Sequence, residues 1–448
     1  MKSYDFVAIG GGNTGLTASY RIAGAGKKVA LVDSGPVGGL CSLAGCNPKK
    51  VLVRATEVLD EVRRAGEHGI DAPVRAVDWP KVIARKRGFT TPVPASTEEA
   101  LRKAGVERLT GRARFISPES IRVEGEEIRA EGFLIATGST PRPLTFPGGN
   151  LAKTTSDILE LEQPPDSLVI IGAGVVAFEF GQVFARLGSS VSVLMPSDRA
   201  LRGADEDLVE ALVMHSMRIG MEFFPHTGVK RIVSSGGRLS VEAETSGKAR
   251  TWTADFVLNA AGRVPNLESL DLPAAGVASD KKGVVVDSHL RSPGNRRVFA
   301  GGDAHGSRQL SPVASYEGRI VAKNFLEGDV ETVSYESIPQ AVYSVPPLAW
   351  VGATEAEARE KGLRVVAPFY DKENWKVFAI AGERPAKCKV VVEEGSRRIL
   401  GAHLLGVAAA EVIHLFAMAM RFGLTTTDLE KMVWAYPTFT SVLDSTWK

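Results

Sequence analysis

Cysteine is scarce in this sequence, at three residues in 448, and long apolar runs and a strong charge imbalance are missing as well. So few cysteines exclude a disulfide-stabilised secreted scaffold and favour a reducing cytoplasm. The formal net charge of +2 gives no reason to expect nucleic acid or an anionic membrane as a partner. No apolar run reaches the roughly 18 residues of a transmembrane helix. The short apolar N-terminal run contains Asp5, which predicts a strand and not a signal peptide.

Glycine, by contrast, is abundant, and its first cluster follows an apolar strand predicted over residues 6–9. Gly10, Gly12 and Gly15 have the G-x-G-x-x-G spacing, an apolar helix follows, and a second predicted strand ends at Asp33. Glycines at these positions let the backbone approach a pyrophosphate at a helix N-terminus, and the acid can bind a ribose hydroxyl. The order of these elements predicts a dinucleotide-binding unit.

A second unit of this kind begins with a strand predicted over residues 167–171, which Gly172 and Gly174 follow. No acid stands at the end of its second strand, and Arg199 and Arg202 lie beyond that end. A carboxylate would repel a 2′-phosphate whereas arginine binds one, so the pattern favours NADPH, with NADH still possible. The alternative is that both arginines are solvated surface residues.

Cys41 and Cys46 follow the first unit directly, which suggests a redox-active thiol pair beside a cofactor. On an ideal helix their separation gives about 7.5 Å of rise. The Cα atoms of a disulfide lie only about 4.4–6.8 Å apart, so the helix must be distorted here, and Gly45 permits this. The alternatives are a zinc half-site and two inert thiols. A zinc site needs further ligands, and we predict Cys388 to be a plain strand residue, so we expect no metal site.

These motifs together resemble the FAD-dependent pyridine nucleotide-disulfide oxidoreductases, such as glutathione reductase, dihydrolipoamide dehydrogenase and mercuric reductase. The resemblance covers essentially the whole chain and rests on the two glycine turns and on the runs at 38–50, 136–138, 262–266 and 301–303. It implies an α/β fold with two Rossmann-like dinucleotide-binding domains plus a C-terminal α+β dimerisation domain. The implied segments are an FAD-binding domain at 1–148 that returns at 267–335, an NAD(P)-binding domain at 149–266 and the dimerisation domain at 336–448.

The resemblance also implies a route for electrons, from NAD(P)H through FAD to a Cys41–Cys46 disulfide. A small-molecule or small-protein acceptor would then receive them, in a cytoplasmic homodimer. Cys46 would be the thiol on the flavin side, and Cys41 the thiol that meets the substrate. Lys49 would lie near the flavin and pair with Glu179. The further cofactor-binding residues that the resemblance implies are Lys50, Thr137, Gly138, Gly262, Gly302 and Asp303.

The C-terminal tail departs from the family pattern. Members that act on disulfides end in His-Pro-Thr-x-x-Glu, whereas Tyr436 and Ser441 stand here in place of the His and the Glu. An ordinary phenol titrates near pH 10 and an ordinary imidazole near about pH 6.5. A tyrosine therefore donates a hydrogen bond well but is a poor base at neutral pH, and exchange with a common dithiol should suffer.

Three functions stay open at this point. The first, which the sequence favours, is a disulfide reductase that works without the usual His–Glu dyad and uses Tyr436 as a hydrogen-bond donor. The second is a reductase of soft metal ions such as Hg(II) or Cu(II), which thiolates bind directly, although the extra C-terminal cysteine pair of mercuric reductases is missing. The third is an electron-transfer flavoprotein without disulfide reductase activity, against which the intact Cys41, Cys46, Lys49 and Glu179 argue.

Overall fold

The computed structural model describes residues 2–382, 385–441 and 446, and the chain divides into two compact units. The first unit comprises Met1–Pro48, Ala84–Arg142 and Gly262–Ser334, and the second comprises Lys49–Ile83, Pro143–Ala261 and Tyr335–Lys448. The segment limits expected at 148, 266 and 335 stay predictions.

Strands and helices alternate along much of the chain, as the βαβ patterns predicted. The strands are β1 (Lys2–Ile9), β2 (Val29–Asp33), β3 (Val106–Thr110), β4 (Ala113–Ser117), β5 (Ser120–Val123), β6 (Glu126–Ile135), β7 (Ser139–Pro141), β8 (Ser167–Ile171), β9 (Ser190–Leu194), β10 (Met221–Phe224), β11 (Thr227–Ser235), β12 (Arg238–Thr245), β13 (Lys248–Ala254), β14 (Phe256–Asn259), β15 (Arg263–Pro265), β16 (Val298–Ala300), β17 (Gln340–Val342), β18 (Leu348–Gly352), β19 (Val365–Val366), β20 (Phe369–Asp371), β21 (Lys387–Glu393) and β22 (Ile399–Leu405). The α-helices are α1 (Asn13–Gly24), α2 (Gly39–Ala44), α3 (Cys46–Arg64), α4 (Trp79–Thr90), α5 (Val93–Lys103), α6 (Thr155–Ile158), α7 (Val175–Arg186), α8 (Glu206–Arg218), α9 (Ser311–Glu327), α10 (Glu355–Glu360), α11 (Lys376–Ala381), α12 (Ala409–Arg421) and α13 (Thr426–Glu430).

The first unit is built on a sheet in the order β3-β2-β1-β6-β5-β4, with β16 also paired to β6. The pairs that β1 forms with β2 and β6 are parallel, and so are β2 with β3 and β6 with β16. Residues 6–9 of β1 are all buried, because apolar side chains cover both faces of the sheet. The carboxyl ends of β1 and β2 meet at one edge, which is where such folds bind ligands.

The second unit repeats this plan with a parallel sheet in the order β10-β9-β8-β14. Two antiparallel sheets accompany it in the same unit, β11-β12-β13 and the C-terminal β17-β18-β22-β21-β19, with β20 paired to β21. The predicted strands at 167–171 and 190–194 are observed. Two Rossmann-like sheets and a mixed C-terminal region confirm the predicted fold class.

Helix α7 is unusual because all ten residues from Ala177 to Arg186 are buried. A helix that is enclosed on every side must pair its charged groups inside the protein. The guanidinium of Arg186 lies 3.1 Å from Asp60 and donates to the carbonyl oxygen of Val345 at 2.7 Å. The Nε2 atom of His215 lies 2.9 Å from the same carbonyl oxygen, so α7, α8 and the turn after β17 share one polar cluster.

This cluster predicts acid sensitivity. Burial and the neighbouring charge of Arg186 lower the pKa of His215 to about 4. The folded protein therefore keeps the imidazole neutral while the unfolded chain binds a proton near pH 6.5, so stability falls as the pH drops from about 6.5 to 4. We expect a loss of up to about 3 kcal/mol over that window. Thermal unfolding of His215→Gln, which keeps a hydrogen-bond donor, should depend less steeply on pH, whereas the exposed His68→Gln should follow the wild type. Parallel pH profiles for the wild type and His215→Gln would contradict this expectation.

Candidate functional site

The turn between β1 and α1 has no room for a side chain at Gly10 or Gly15. Gly10 has a φ of +117°, and a Cβ there would lie 2.2 Å from the carbonyl oxygen of Ala136. A Cβ on Gly15 would lie 2.0 Å from the carbonyl oxygen of Gly10. Gly12 precedes the first residue of α1, so backbone N–H groups at the helix N-terminus stand without a side chain in front of them. This is the arrangement that binds a pyrophosphate.

Asp33 closes this turn from the end of β2. One carboxylate oxygen accepts the N–H of Gly11 at 2.6 Å, and the other accepts the N–H of Gly35 at 2.8 Å. These bonds fix the direction of the carboxylate. Each oxygen has a second lone pair, so the group can still accept a hydrogen bond from a ribose hydroxyl.

A second edge of the site comes from β16 and the segment after it. Asp303 accepts the Ser139 hydroxyl at 2.6 Å, and that hydroxyl in turn accepts the Nε–H of Arg263 at 2.8 Å. Burial lowers the pKa of Arg263, and the charge of Asp303 opposes that effect. Gly302 has a φ of +64°, and its N–H donates to the fully buried Glu317 at 2.5 Å. The chain thus holds Asp303 in one orientation through side chains from three segments.

These groups fit a bound FAD. The hydroxyl oxygen of Thr137 is buried and has no hydrogen-bond partner among the described residues, as expected of a group whose partner is a ligand. Gly138 follows it with a φ of +69°. The residues of this unit that would hold the cofactor are Gly10, Gly12, Gly15, Asp33, Thr137, Gly138, Gly302 and Asp303.

Both redox cysteines border one cleft with this cofactor site. Cys41 and Cys46 line it together with Gly12, Gly138 and Asp303. Cys41 is half-buried and Cys46 is exposed. The two cysteines and groups predicted to bind FAD therefore share one cavity within the first unit.

The predicted helix distortion at the cysteine pair is confirmed. Helix α2 ends at Ala44 and α3 begins at Cys46, with Gly45 between them at φ −131° and ψ −114°. A Cβ on Gly45 would lie 2.9 Å from the carbonyl oxygen of Leu40 and 3.3 Å from the Cα of Cys41. The break frees the two cysteines from the spacing of a continuous helix, which is too long for a disulfide.

A buried ion pair lies in the second unit. The Lys49 ammonium donates to Glu179 at 2.5 Å, and Glu179, whose side chain is 1% exposed, also accepts the N–H of Tyr343 at 2.9 Å. The ammonium of Lys50 lies 3.7 Å from the centre of the Tyr343 ring, and burial lowers its pKa. The structure thus brings Lys49 and Glu179 together, while their role beside a flavin stays a prediction.

The second glycine turn has the same construction as the first. Gly172 has a φ of +108°, a Cβ there would lie 2.4 Å from the carbonyl oxygen of Ala260, and Gly174 precedes α7. The loop after β9 touches this turn, because the N–H of Leu201 donates to the carbonyl oxygen of Ala173 at 3.1 Å. The next residue in that loop, Arg202, is exposed.

Arg199 is less accessible than the sequence suggested. It is half-buried, and its guanidinium donates to the carbonyl oxygen of Ala204 at 2.7 Å, which braces the loop after β9.

Gly262, also predicted to bind a cofactor, belongs to the first unit, and its carbonyl oxygen accepts the N–H of Arg142. A nucleotide-binding role for Gly262 stays a prediction.

Tyr436 and Ser441 lie in the C-terminal segment of the second unit. The side chain of Tyr436 is 69% exposed. The hydroxyl of Ser441 donates to the carbonyl oxygen of Thr438 at 2.7 Å and accepts its N–H at 3.1 Å, so it closes a local turn. The remainder of the C-terminal tail, apart from residue 446, lies outside the described residues.

Cys388 is the buried strand residue that the sequence predicted. It lies in β21, and burial raises the pKa of its thiol to about 12, which makes it a weak nucleophile.

Within the described residues, no group of three or more His, Cys, Asp or Glu side chains could hold a metal ion. No helix in the same part of the chain is both long enough and apolar enough to cross a lipid bilayer.

Several residues that shape these sites were not predicted from the sequence. Ser139 and Arg263 orient Asp303, Glu317 holds the backbone of Gly302, and Tyr343 contacts the Lys50 and Glu179 side chains. Ser139 and Arg263 each lie next to a glycine that belongs to a predicted motif, and this position could have identified them as site residues. Tyr343 is far from every motif in the sequence, and only the folded chain identifies it.

Comparisons with known proteins agree with this geometry. Residues 4–318 match the family model described as pyridine nucleotide-disulphide oxidoreductase, and residues 338–446 match its dimerisation domain. The chain is 32% identical to a mercuric reductase of Staphylococcus aureus, over 95% of this chain and 78% of that protein. It is 34% identical to a dihydrolipoyl dehydrogenase of Bacillus subtilis, over 97% of this chain and 96% of that protein. The structure of a Cu(II) complex of the HOCl-induced flavoprotein disulfide reductase RclA from Escherichia coli superposes with a TM-score of 0.89 at 27% identity, over 100% of this chain and 99% of that one.

The break at Gly45 predicts that even a methyl group will disturb the thiol pair. In Gly45→Ala the new Cβ must displace the backbone of Leu40 or Cys41, at a cost of about 1–3 kcal/mol. We expect a lower melting temperature and slower re-formation of the Cys41–Cys46 disulfide after reduction, measured by thiol titration.

A matched control is Gly88→Ala in α4, where a Cβ would meet no atom of the described chain within 4 Å. Alanine is the better helix former, so this control should be neutral or stabilised by about 0.5–1 kcal/mol. Disulfide formation at the wild-type rate in Gly45→Ala would show that the glycine is not needed for the geometry of the pair.

Proposed function

Because this chain belongs to the pyridine nucleotide-disulphide oxidoreductase family, we propose that it passes electrons from NADPH through FAD to the Cys41–Cys46 pair and on to a disulfide substrate. The observation that carries this proposal is the shared cleft, in which both cysteines line the same cavity as Gly12, Gly138 and Asp303. The family relation, through regions that match both its redox domain and its dimerisation domain, supports the same assignment.

The chain supplies two thiols and a fixed positive charge to this chemistry. FAD, when bound, accepts a hydride from the nicotinamide and transfers two electrons onward. Two thiols are the minimum that can take up those two electrons by opening a disulfide and give them up by closing it. Cys46 is assigned to the flavin side and Cys41 to the substrate side. Lys49, held by Glu179, would supply a fixed positive charge.

The preference for NADPH rests on the loop after β9. Residues 195–197, directly after the strand, include no acid to bind the ribose of NADH; Asp198 follows them, and the loop also contains Arg199 and Arg202. The hydrogen bond between Leu201 and Ala173 brings this loop against the glycine turn that would receive the pyrophosphate. Arginine binds a phosphate bidentately, so this loop suits a 2′-phosphate better than a free hydroxyl.

A homodimer would complete the site with the tail of the partner subunit. The dimerisation-domain match supports this assembly, and so do apolar side chains exposed near the tail, among them Phe422, Met432 and Val433. Tyr436, which is also exposed there, would donate a hydrogen bond to the substrate-side sulfur or to the leaving thiol. The proposed cytoplasmic location agrees with the low cysteine content.

Reduction of a soft metal ion is a second candidate. Two observations favour it: a relative named mercuric reductase, and a structural neighbour solved as a Cu(II) complex. Thiolates bind such ions directly, so this reaction needs no proton for a leaving group and tolerates the change from histidine to Tyr436. The substrate would then coordinate Cys41 and Cys46.

Anaerobic titration of the holoenzyme with NADPH tests the electron route. The reduced enzyme should develop a long-wavelength absorption band from a thiolate in contact with the oxidised flavin. Cys41→Ser should show that band before NADPH is added, because its flavin-side thiol cannot enter a disulfide, and should lose turnover, whereas Cys46→Ser should lose both. Absence of the band in the wild type would refute a working thiol pair and both candidate functions.

Tyr436→Phe separates the two substrate classes. If the phenol serves disulfide exchange, its removal should lower disulfide turnover by about 10²–10⁴-fold and leave flavin reduction by NADPH unchanged. The same variant should reduce Hg(II) or Cu(II) at the wild-type rate. Tyr20→Phe, which removes a hydroxyl from α1, is the control. Equal losses in the reductive and oxidative half-reactions would contradict the role assigned to Tyr436.

A further inference from the structure

A lysine of the C-terminal sheet is buried among three carboxylates. Lys389 lies in β21, and its side chain is only 5% exposed. Its ammonium lies 3.1 Å from Asp205 and 3.2 Å from Glu355, and it also donates to Asp207. Lys389 and Asp205 are both only 5% exposed, so each would be a costly buried charge without the other, which makes this pair a strong and directional anchor.

Two of the three acids belong to the loop and helix that come after β9. Asp205 caps α8, since its carboxylate accepts the N–H of Asp207 at 3.3 Å. It ends the loop in which Arg199 braces the carbonyl oxygen of Ala204. The same loop touches the second glycine turn through Leu201. Lys389 is therefore paired with the residue that ends the loop carrying Arg199 and Arg202, and the same loop contacts the second glycine turn.

We propose that Lys389 is a positioning residue that sets the selectivity for the 2′-phosphate of NADPH. It does so by fixing the Asp205 end of the loop that carries Arg199 and Arg202. This inference rests on the proposed NADPH site and adds to it a residue that lies nearly two hundred positions away in sequence and belongs to the C-terminal sheet. Lys389 does not itself need to touch the nucleotide.

Charge compensation supports the same role. Asp205 and Asp207 are close in sequence to the two arginines, and unpaired carboxylates there would repel a phosphate group. Burial works against the ammonium of Lys389, but its hydrogen bonds to Asp207 and Asp205 outweigh burial and raise its pKa. The lysine thus stays charged at neutral pH and offsets the two acids beside the phosphate-binding loop.

The test is flavin reduction in the holoenzyme, followed by stopped flow without an electron acceptor, with NADPH and NADH as alternative donors. In Lys389→Met the dissociation constant of NADPH should rise roughly tenfold, within the usual range of coupling between sites. The dissociation constant of NADH and the limiting reduction rate with either donor should change little. Lys389→Arg, which keeps the charge, should restore most of the NADPH affinity.

Lys387→Met is the matched control. Lys387 lies in the same strand and pairs with Asp371 and Glu373, so its loss removes a comparable ion pair that has no link to the loop after β9. It should leave the NADPH to NADH ratio unchanged. If Lys389→Met does not fold, Lys389→Gln keeps a hydrogen-bond donor and should show a smaller loss in the same direction.

Arg202→Ala distinguishes failure of this inference from failure of the NADPH proposal. Suppose that Arg202→Ala lowers the preference for NADPH, whereas the Lys389 variants weaken the binding of NADPH and NADH equally or weaken neither. The positioning role of Lys389 is then overturned and the NADPH site stands. If Arg202→Ala leaves the preference unchanged, the phosphate site itself is misassigned, and the role of Lys389 is rejected with it.

Discussion

One buried carboxylate, Glu179, ties together three segments of the second unit. It lies on a helix with no exposed side, so it cannot be hydrated and must find its partners within the protein. It finds them in the ammonium of Lys49 and the backbone N–H of Tyr343. Loss of one partner would leave an uncompensated buried charge, a cost of about 3–5 kcal/mol. Such a constraint fixes the direction of the Lys49 ammonium far better than a solvated ion pair does.

The two glycine turns share one backbone construction. In both, a glycine with a left-handed φ lets the strand approach the backbone of a neighbouring segment, Ala136 in the first and Ala260 in the second. The two units differ at the carboxyl end of the next strand. The first has Asp33 there, whose carboxylate is already held by two backbone N–H groups, and the second has an arginine-bearing loop. On the proposed function, selectivity would come from these flanking residues, and each turn would supply the binding of a pyrophosphate.

Much of this could be predicted from sequence, because the signals are local. Glycine spacing, apolar strands and the need for Gly45 between two cysteines follow from backbone geometry over a few residues, and all three are observed. The partners of Asp303 and Lys389 could not be predicted in this way. Ser139 reaches Asp303, and Arg263 reaches Ser139, from segments far away in the chain, and Lys389 meets Asp205 from a strand of the C-terminal sheet. Sequence patterns carry no direct record of such pairings.

The capping of α8 by Asp205 bears on attempts to re-engineer this protein. A change of nucleotide preference is commonly sought by exchanging only the loop that faces the ribose. Here an exchange that also changed residue 205 would remove the cap of α8 and a partner of the buried Lys389 ammonium in one step. The new loop would then lie beside the Lys389 ammonium, and the protein from which the loop was taken need not have a lysine at that place. On the proposed nucleotide site, the smallest portable unit would therefore span the loop after β9, the start of α8 and the part of β21 around Lys389.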